Sequence, residues 1–159
     1  IESMPKPSVL AGTIVTHKGV GIDIEQLLIM LNKRIEALYD RDHTVGHAYF
    51  TRIKDLEDED RFSELKTVFR NKIIPLLEEY FFEDWQKIRL VLGDNQKPKQ
   101  EHQFVHEIGR EEDLLALFGR EHELDQYAIR SRYQLNAAAL DEPAAYVGIY
   151  AAKPDVTAG

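Results

Sequence analysis

The chain has no cysteine among its 159 residues. Disulfides, thiolate nucleophiles and thiolate metal sites are therefore excluded. No apolar run approaches the ~18 residues needed to cross a bilayer. The opening IESMPKPS lacks the basic region and apolar segment of a secretory signal. A cytoplasmic chain with no membrane association is the expectation. An initiator methionine is also missing, and IES reads as the tail of a strand, so a piece cut from a longer protein is expected. No GxxxxGK(S/T) or GxGxxG loop is present to cradle phosphates, and no GxSxG to carry a nucleophilic serine. Positive charge is the minority sign, with 20 Lys and Arg against 28 Asp and Glu and a formal net charge of −8. Binding nucleic acid through phosphates needs clustered basic residues, so the chain alone is a poor candidate for that role.

What is present suits a globular domain. Hydrophobic residues make up 43% and charged residues 30%, which separates the chain from disordered compositions. Residues 1–12 carry two prolines and a glycine and read as an extended lead-in. TIVTHKGVGI, at 13–22, has two glycines and no helical period, which predicts a short hairpin or loop. Asp23 is placed as an N-cap. Beyond it, Ile24, Leu27, Leu28, Leu31, Ile35 and Leu38 keep a 3.6-residue period over four turns, which predicts a helix.

Further along, Ile53 and Leu56 suit a short helix, and Glu57-Asp-Glu-Asp60 reads as a solvated acidic turn. Helical spacing resumes at Phe62 and runs to Phe81, with Pro75 expected to kink or break it. Asp84 is expected to cap a helix that Gly93 stops. GDNQKPKQEHQ reads as a polar loop, FVHEI as a short strand, and EEDLLALFG as one or two helical turns. EHELDQYAIRSRYQL suggests extended segments, and Asp141-Glu-Pro143 opens a last helix. A mainly α fold with minor strands results.

The densest polar chemistry is Arg41–Phe50, RDHTVGHAYF, at the end of the first long helix. His43 and His47 have the i, i+4 spacing of a zinc helix, but the intervening Thr44, Val45 and Gly46 supply no glutamate and break the helix. His102 and His106 repeat the spacing, but on a strand it separates them by ~13 Å. Capping and surface roles are favoured over metal, and neither catalytic nor metal-binding residues are assigned. Two readings of the turn stand level. In one, a new helix begins at His47 and its free N–H groups suit a phosphate or a base. In the other, Asp42 caps the next segment and Arg41 pairs with an acid. Tyr49 and Phe50 are placed in the core rather than against a base.

LNKRIEALYDRDHTVGHAYF (31–50) resembles the lid region of McrB-type AAA+ proteins, the NTPase subunits of methylcytosine-specific restriction systems. FRNKIIPLLEEYFFEDWQKIRLVLG (69–93) resembles a second block of that family, IESMPKPSVL its segment after the arginine-finger region, and DEPAAYVGIY its C-terminal helix. The resemblance implies the end of an AAA+ core strand and lead-in at 1–12, a helical lid at 13–95, and a C-terminal extension with short strands packed on the lid at 96–159. It implies ATP or GTP with Mg in the full-length protein and none in this chain alone. It also implies neighbouring AAA+ subunits in a ring, a hexamer by expectation, with a McrC-like nuclease partner and DNA reached through the full-length protein.

The Walker A and Walker B motifs would lie upstream, so the chain alone is expected to be inactive. Phe50 stands where the lid arginine of many AAA+ proteins would fall, leaving Arg41 or Arg52 to replace it. The nucleotide-facing residues implied on the lid side are Arg41, Asp42, His43, Gly46, His47 and Arg52. Asp42 is expected to orient Arg41 or His43, and Gly46 to permit close backbone approach. An autonomous acidic helical module that binds a basic partner protein, with no nucleotide chemistry, is the alternative.

Overall fold

The computed structural model describes residues 5–109, 114–121, 123 and 132–151. It is mainly helical, with two small antiparallel sheets of two strands each. The expected strand tail at 1–3 and the segment 124–131 lie outside the described residues.

A 3-10 turn at Pro7–Leu10 precedes a hairpin of β1 (Ile14–His17) and β2 (Val20–Asp23). Lys18 and Gly19 join the strands with φ of 52° and 78°. Two successive left-handed residues match the natural twist of a two-residue hairpin. Val15 and Ile22 pair across the ladder and are fully buried. The hairpin leads directly into α1 (Ile24–Leu38), where the Asp23 carboxylate accepts from the Gln26 N–H at 3.2 Å. The apolar stripe predicted for α1 is buried at Ile24, Leu27, Leu28, Leu31 and Ile35.

After the turn at 39–46, a 3-10 turn at His47–Tyr49 leads into α2 (Thr51–Asp55) and α3 (Asp58–Val68). The acidic run is not a turn. Asp58, Glu59 and Asp60 form the first turn of α3, where the free N–H groups and partial positive charge of a helix start favour carboxylates. Arg61 fixes this corner, donating to the carbonyls of Ile14, Lys54 and Leu56 at 3.0, 3.0 and 3.1 Å.

Pro75 does not break the helix. A π-helical turn at Phe69–Ile73 joins α3 to α4 (Ile74–Tyr80), and Pro75 sits in the first turn of α4, where its missing N–H costs little. α5 (Trp85–Leu92) has the predicted cap, the Asp84 carboxylate accepting from the Lys87 N–H. It ends at Gly93, which is left-handed at φ 73°.

The segment read as a polar loop contains a buried polar cluster. Asp94 is 0% exposed and Lys97 6%. The Asp94 carboxylate accepts from the Lys97 ammonium at 2.8 Å and from the N–H groups of Phe104 and Val105 at 2.9 Å each. That holds the start of β3 (Val105–Gly109) against the end of α5. β3 pairs with β4 (Arg132–Leu135), and α6 (Leu114–Phe118) lies between them in sequence. α7 (Pro143–Ala151) begins with the expected proline and packs on α1 and β2. The Tyr150 hydroxyl accepts from the Asp23 N–H at 2.9 Å. Tyr146 contacts the rings of Phe62, Phe69 and Phe104, so one core joins α3, the π turn, β3 and α7.

Candidate functional site

The turn after α1 is built by its own polar side chains. α1 stops at Leu38, and the Asp40 carboxylate accepts from the His43 N–H at 2.8 Å. It also accepts from His43 Nδ1 at 2.5 Å. A carboxylate only accepts, so Nδ1 carries the proton. These bonds from His43 hold the Asp40 carboxyl below its ordinary value. The acid that orients His43 is thus Asp40, not Asp42: a tight turn brings residue i−3 to the imidazole.

His43 stacks on Tyr39 with centroids 4.2 Å apart, and the edge of one ring of the His43–Tyr80 pair meets the face of the other at 5.0 Å. Asn32 holds the far end of the turn. Its side-chain amide donates to the Val45 carbonyl at 2.9 Å and accepts from the Val45 N–H at 2.6 Å.

The six residues singled out from sequence point in different directions. Arg41 and Asp42 are exposed, and their side chains form no hydrogen bond or ion pair among the described residues. His43 faces the aromatic rings. Gly46 has an ordinary extended backbone, φ −73° and ψ 148°, with open space where a Cβ would stand. That backbone is one any residue adopts. His47 Nδ1 accepts from the Lys6 N–H at 3.1 Å, which ties the turn to the lead-in. Its Nε2 is then left as a donor. Arg52 is 75% exposed and pairs loosely with Glu64 of α3 at 3.7 Å. No hydrogen bond or ion pair among the described residues joins any two of the six. Phe50 is fully buried as predicted, whereas Tyr49 is 40% exposed.

His106 Nε2 contacts the Gln100 carbonyl and Asn136. Among the described residues, no group of three or more His, Asp or Glu is placed to hold an ion.

Beside the Asp40–His43 pair lies an open groove of about 280 Å³. Tyr39, Tyr80, Phe81 and Phe82 line it, together with Asp84 and Lys87. The sequence reading missed this groove, although the signal was present: the aromatic run Tyr80-Phe81-Phe82 exceeds what one buried helix face can absorb. Phe81 is buried and Phe82 is 78% exposed.

Residues 23–89 match the family model described as McrB, alpha-helical lid domain. This stretch, α1 through most of α5 and including the whole Arg41–Phe50 turn, is similar to that lid domain. No curated protein and no solved structure matches the chain. Among the described residues, no helix is long and apolar enough to cross a membrane.

Proposed function

We propose that the chain is the lid of a McrB-like AAA+ NTPase, closing over ATP or GTP at a ring subunit interface and coupling hydrolysis to work on DNA. The lid-family match at 23–89 carries this reading. The turn after α1 fits a role on the lid side of a nucleotide. The Arg41 guanidinium is exposed with no side-chain partner among the described residues, and charge-assisted bonds to phosphate suit it. His47 can donate from Nε2 while Nδ1 is held by the lead-in. Gly46 leaves room for close approach. His43, committed to Asp40, shapes the turn and does not reach outward. The nucleotide would supply the phosphoanhydride, and its Mg and hydrolytic groups would come from parts of the protein other than these residues. Neighbouring ring subunits and a McrC-like nuclease belong to the same proposal.

The test begins with the coding sequence upstream of Ile1. A GxxxxGK(S/T) loop and an acidic Walker B strand there support the reading. Turnover of ATP and GTP by that full-length protein is then compared with Arg41→Ala. Loss of a charge-assisted phosphate contact raises KM by about tenfold. Unchanged kinetics remove Arg41 from the site. A second reading, an acidic helical module that binds a basic protein, is favoured by the net charge of −8.

A further inference from the structure

The groove at Tyr39, Tyr80, Phe81 and Phe82 has an electrostatic character set by the helices that end there. α1 terminates at Leu38 and α4 at Tyr80, so two helix C-termini, each with a partial negative charge, meet at its wall. Helices commonly offset this charge with a basic residue in the last turn. Neither α1 nor α4 has one there. The Asp40–His43 pair stands behind this wall, the His43 ring contacting both Tyr39 and Tyr80. The cation that does line the groove, Lys87, is paired with Asp84 at 3.6 Å. The walls are aromatic, with Phe82 78% and Tyr39 47% exposed. Aromatic faces attract cations, and a planar guanidinium more effectively than an ammonium because it also stacks. A volume of about 280 Å³ admits one long side chain, not a helix or a strand.

We propose that this groove is a docking site for an arginine side chain presented by a partner protein, held by cation–π contact with Tyr39 and Phe82 and by the C-termini of α1 and α4. The proposal does not depend on nucleotide binding by the lid. An uncharged apolar side chain would use the rings and leave the two C-termini unanswered. A lysine would satisfy the charge and lose the stacking.

The test is a titration of the 159-residue chain, followed by NMR of the backbone amides and aromatic rings. The probes are acetyl-arginine amide and its neutral isostere acetyl-citrulline amide. Arginine is expected to give saturable shifts in the millimolar range centred on Tyr39, Phe82 and Lys87. The citrulline probe, and arginine with Phe82→Ala, are each expected to bind about fivefold more weakly. The largely exposed Phe82 ring makes that variant a mild one for the fold, and an unchanged amide spectrum elsewhere verifies this. Equal binding of the two probes, shifts centred outside the groove, or indifference to Phe82→Ala would overturn the proposal. Shifts at the groove that grow with protein concentration, without probe, would overturn it in favour of a second copy of the chain.

Discussion

Asn32 holds Val45 by both of its backbone groups, at 2.9 Å and 2.6 Å, across thirteen residues of chain. The side chain of a helix residue thus acts as the pairing partner that a strand would otherwise supply. Val45 is fully buried, so neither group has water as an alternative. Asn32→Ala removes both partners at once. A loss of about 2–3 kcal/mol is expected, since each buried unpaired group costs ~1–3 kcal/mol. Denaturant unfolding measures it, and amide exchange at Val45 should accelerate more than exchange in α5. A loss below ~0.5 kcal/mol would mean that the turn finds other partners.

The Asp40–His43 pair predicts a pH response of the turn. The Asp40 carboxyl is held below its usual range by hydrogen bonds from His43. A carboxyl with a depressed folded pKa stabilises the structure above its unfolded pKa, and that contribution is lost as pH falls through the folded value. The His43 amide proton, bonded to Asp40, should therefore titrate with a midpoint below the ordinary aspartate value of about 3.9. Asp40→Asn should abolish that transition. A midpoint at or above the ordinary value would refute the pairing in solution.

Local signals made much of the fold legible. α1 and α5 announce themselves through Asp23 and Asp84 as caps and through a sustained apolar period. Gly93 marks its stop because only a left-handed residue fits there. The failures share a cause, which is that the deciding partner is distant or the context non-local. Asp58–Asp60 look solvated as a string, and they are exposed, but their meaning comes from the helix that follows. Asp94 looks like any loop acid, and its backbone partners stand ten and eleven residues further on. Asn32 was detectable in principle, as an amide standing between Leu28 and Ile35 on the apolar stripe of α1. The exposed Arg41 was legible as a candidate, whereas the separation of His43 from His47 needed the three-dimensional turn.

Gly93 makes a sharp prediction about the junction between α5 and the C-terminal residues. Its φ of 73° already disfavours a side chain. A Cβ there would also stand 2.9 Å from the Arg34 guanidinium and 3.1 Å from the Gly148 carbonyl oxygen. Arg34 can swing aside, but the α7 backbone cannot. Gly93→Ala should cost about 1–2 kcal/mol from the left-handed backbone, plus the displacement of α7. Thermal unfolding should show the loss, and the Tyr150–Asp23 bond should weaken with it. A neutral effect would show that α7 moves freely against α5.

The buried pair Asp94–Lys97 gives the last prediction. Burial pushes the Lys97 ammonium down to about 8, against the opposing pull of Asp94. The ammonium also lies 4.2 Å from the centroid of the Phe104 ring, so some of its lost hydration is replaced. A lysine depressed in the folded state makes the folded chain shed its proton first. From about pH 8 to ~10.4 the unfolded chain binds more protons, so this group raises stability as pH rises, on the order of 2–3 kcal/mol across the window. Burial also pushes the Tyr146 hydroxyl up, which works in the opposite direction at high pH. The comparison with Lys97→Met cancels that contribution, because Tyr146 is common to both proteins. The stability difference between the two should shift by that amount between pH 7.5 and pH 10 in favour of the lysine chain. Asp94→Ala should be far more damaging at neutral pH, by about 3–5 kcal/mol, because it strands a buried cation and two backbone N–H groups together. Equal stabilities for Asp94→Ala and the unaltered chain would mean that water enters the site and that β3 is anchored by other contacts.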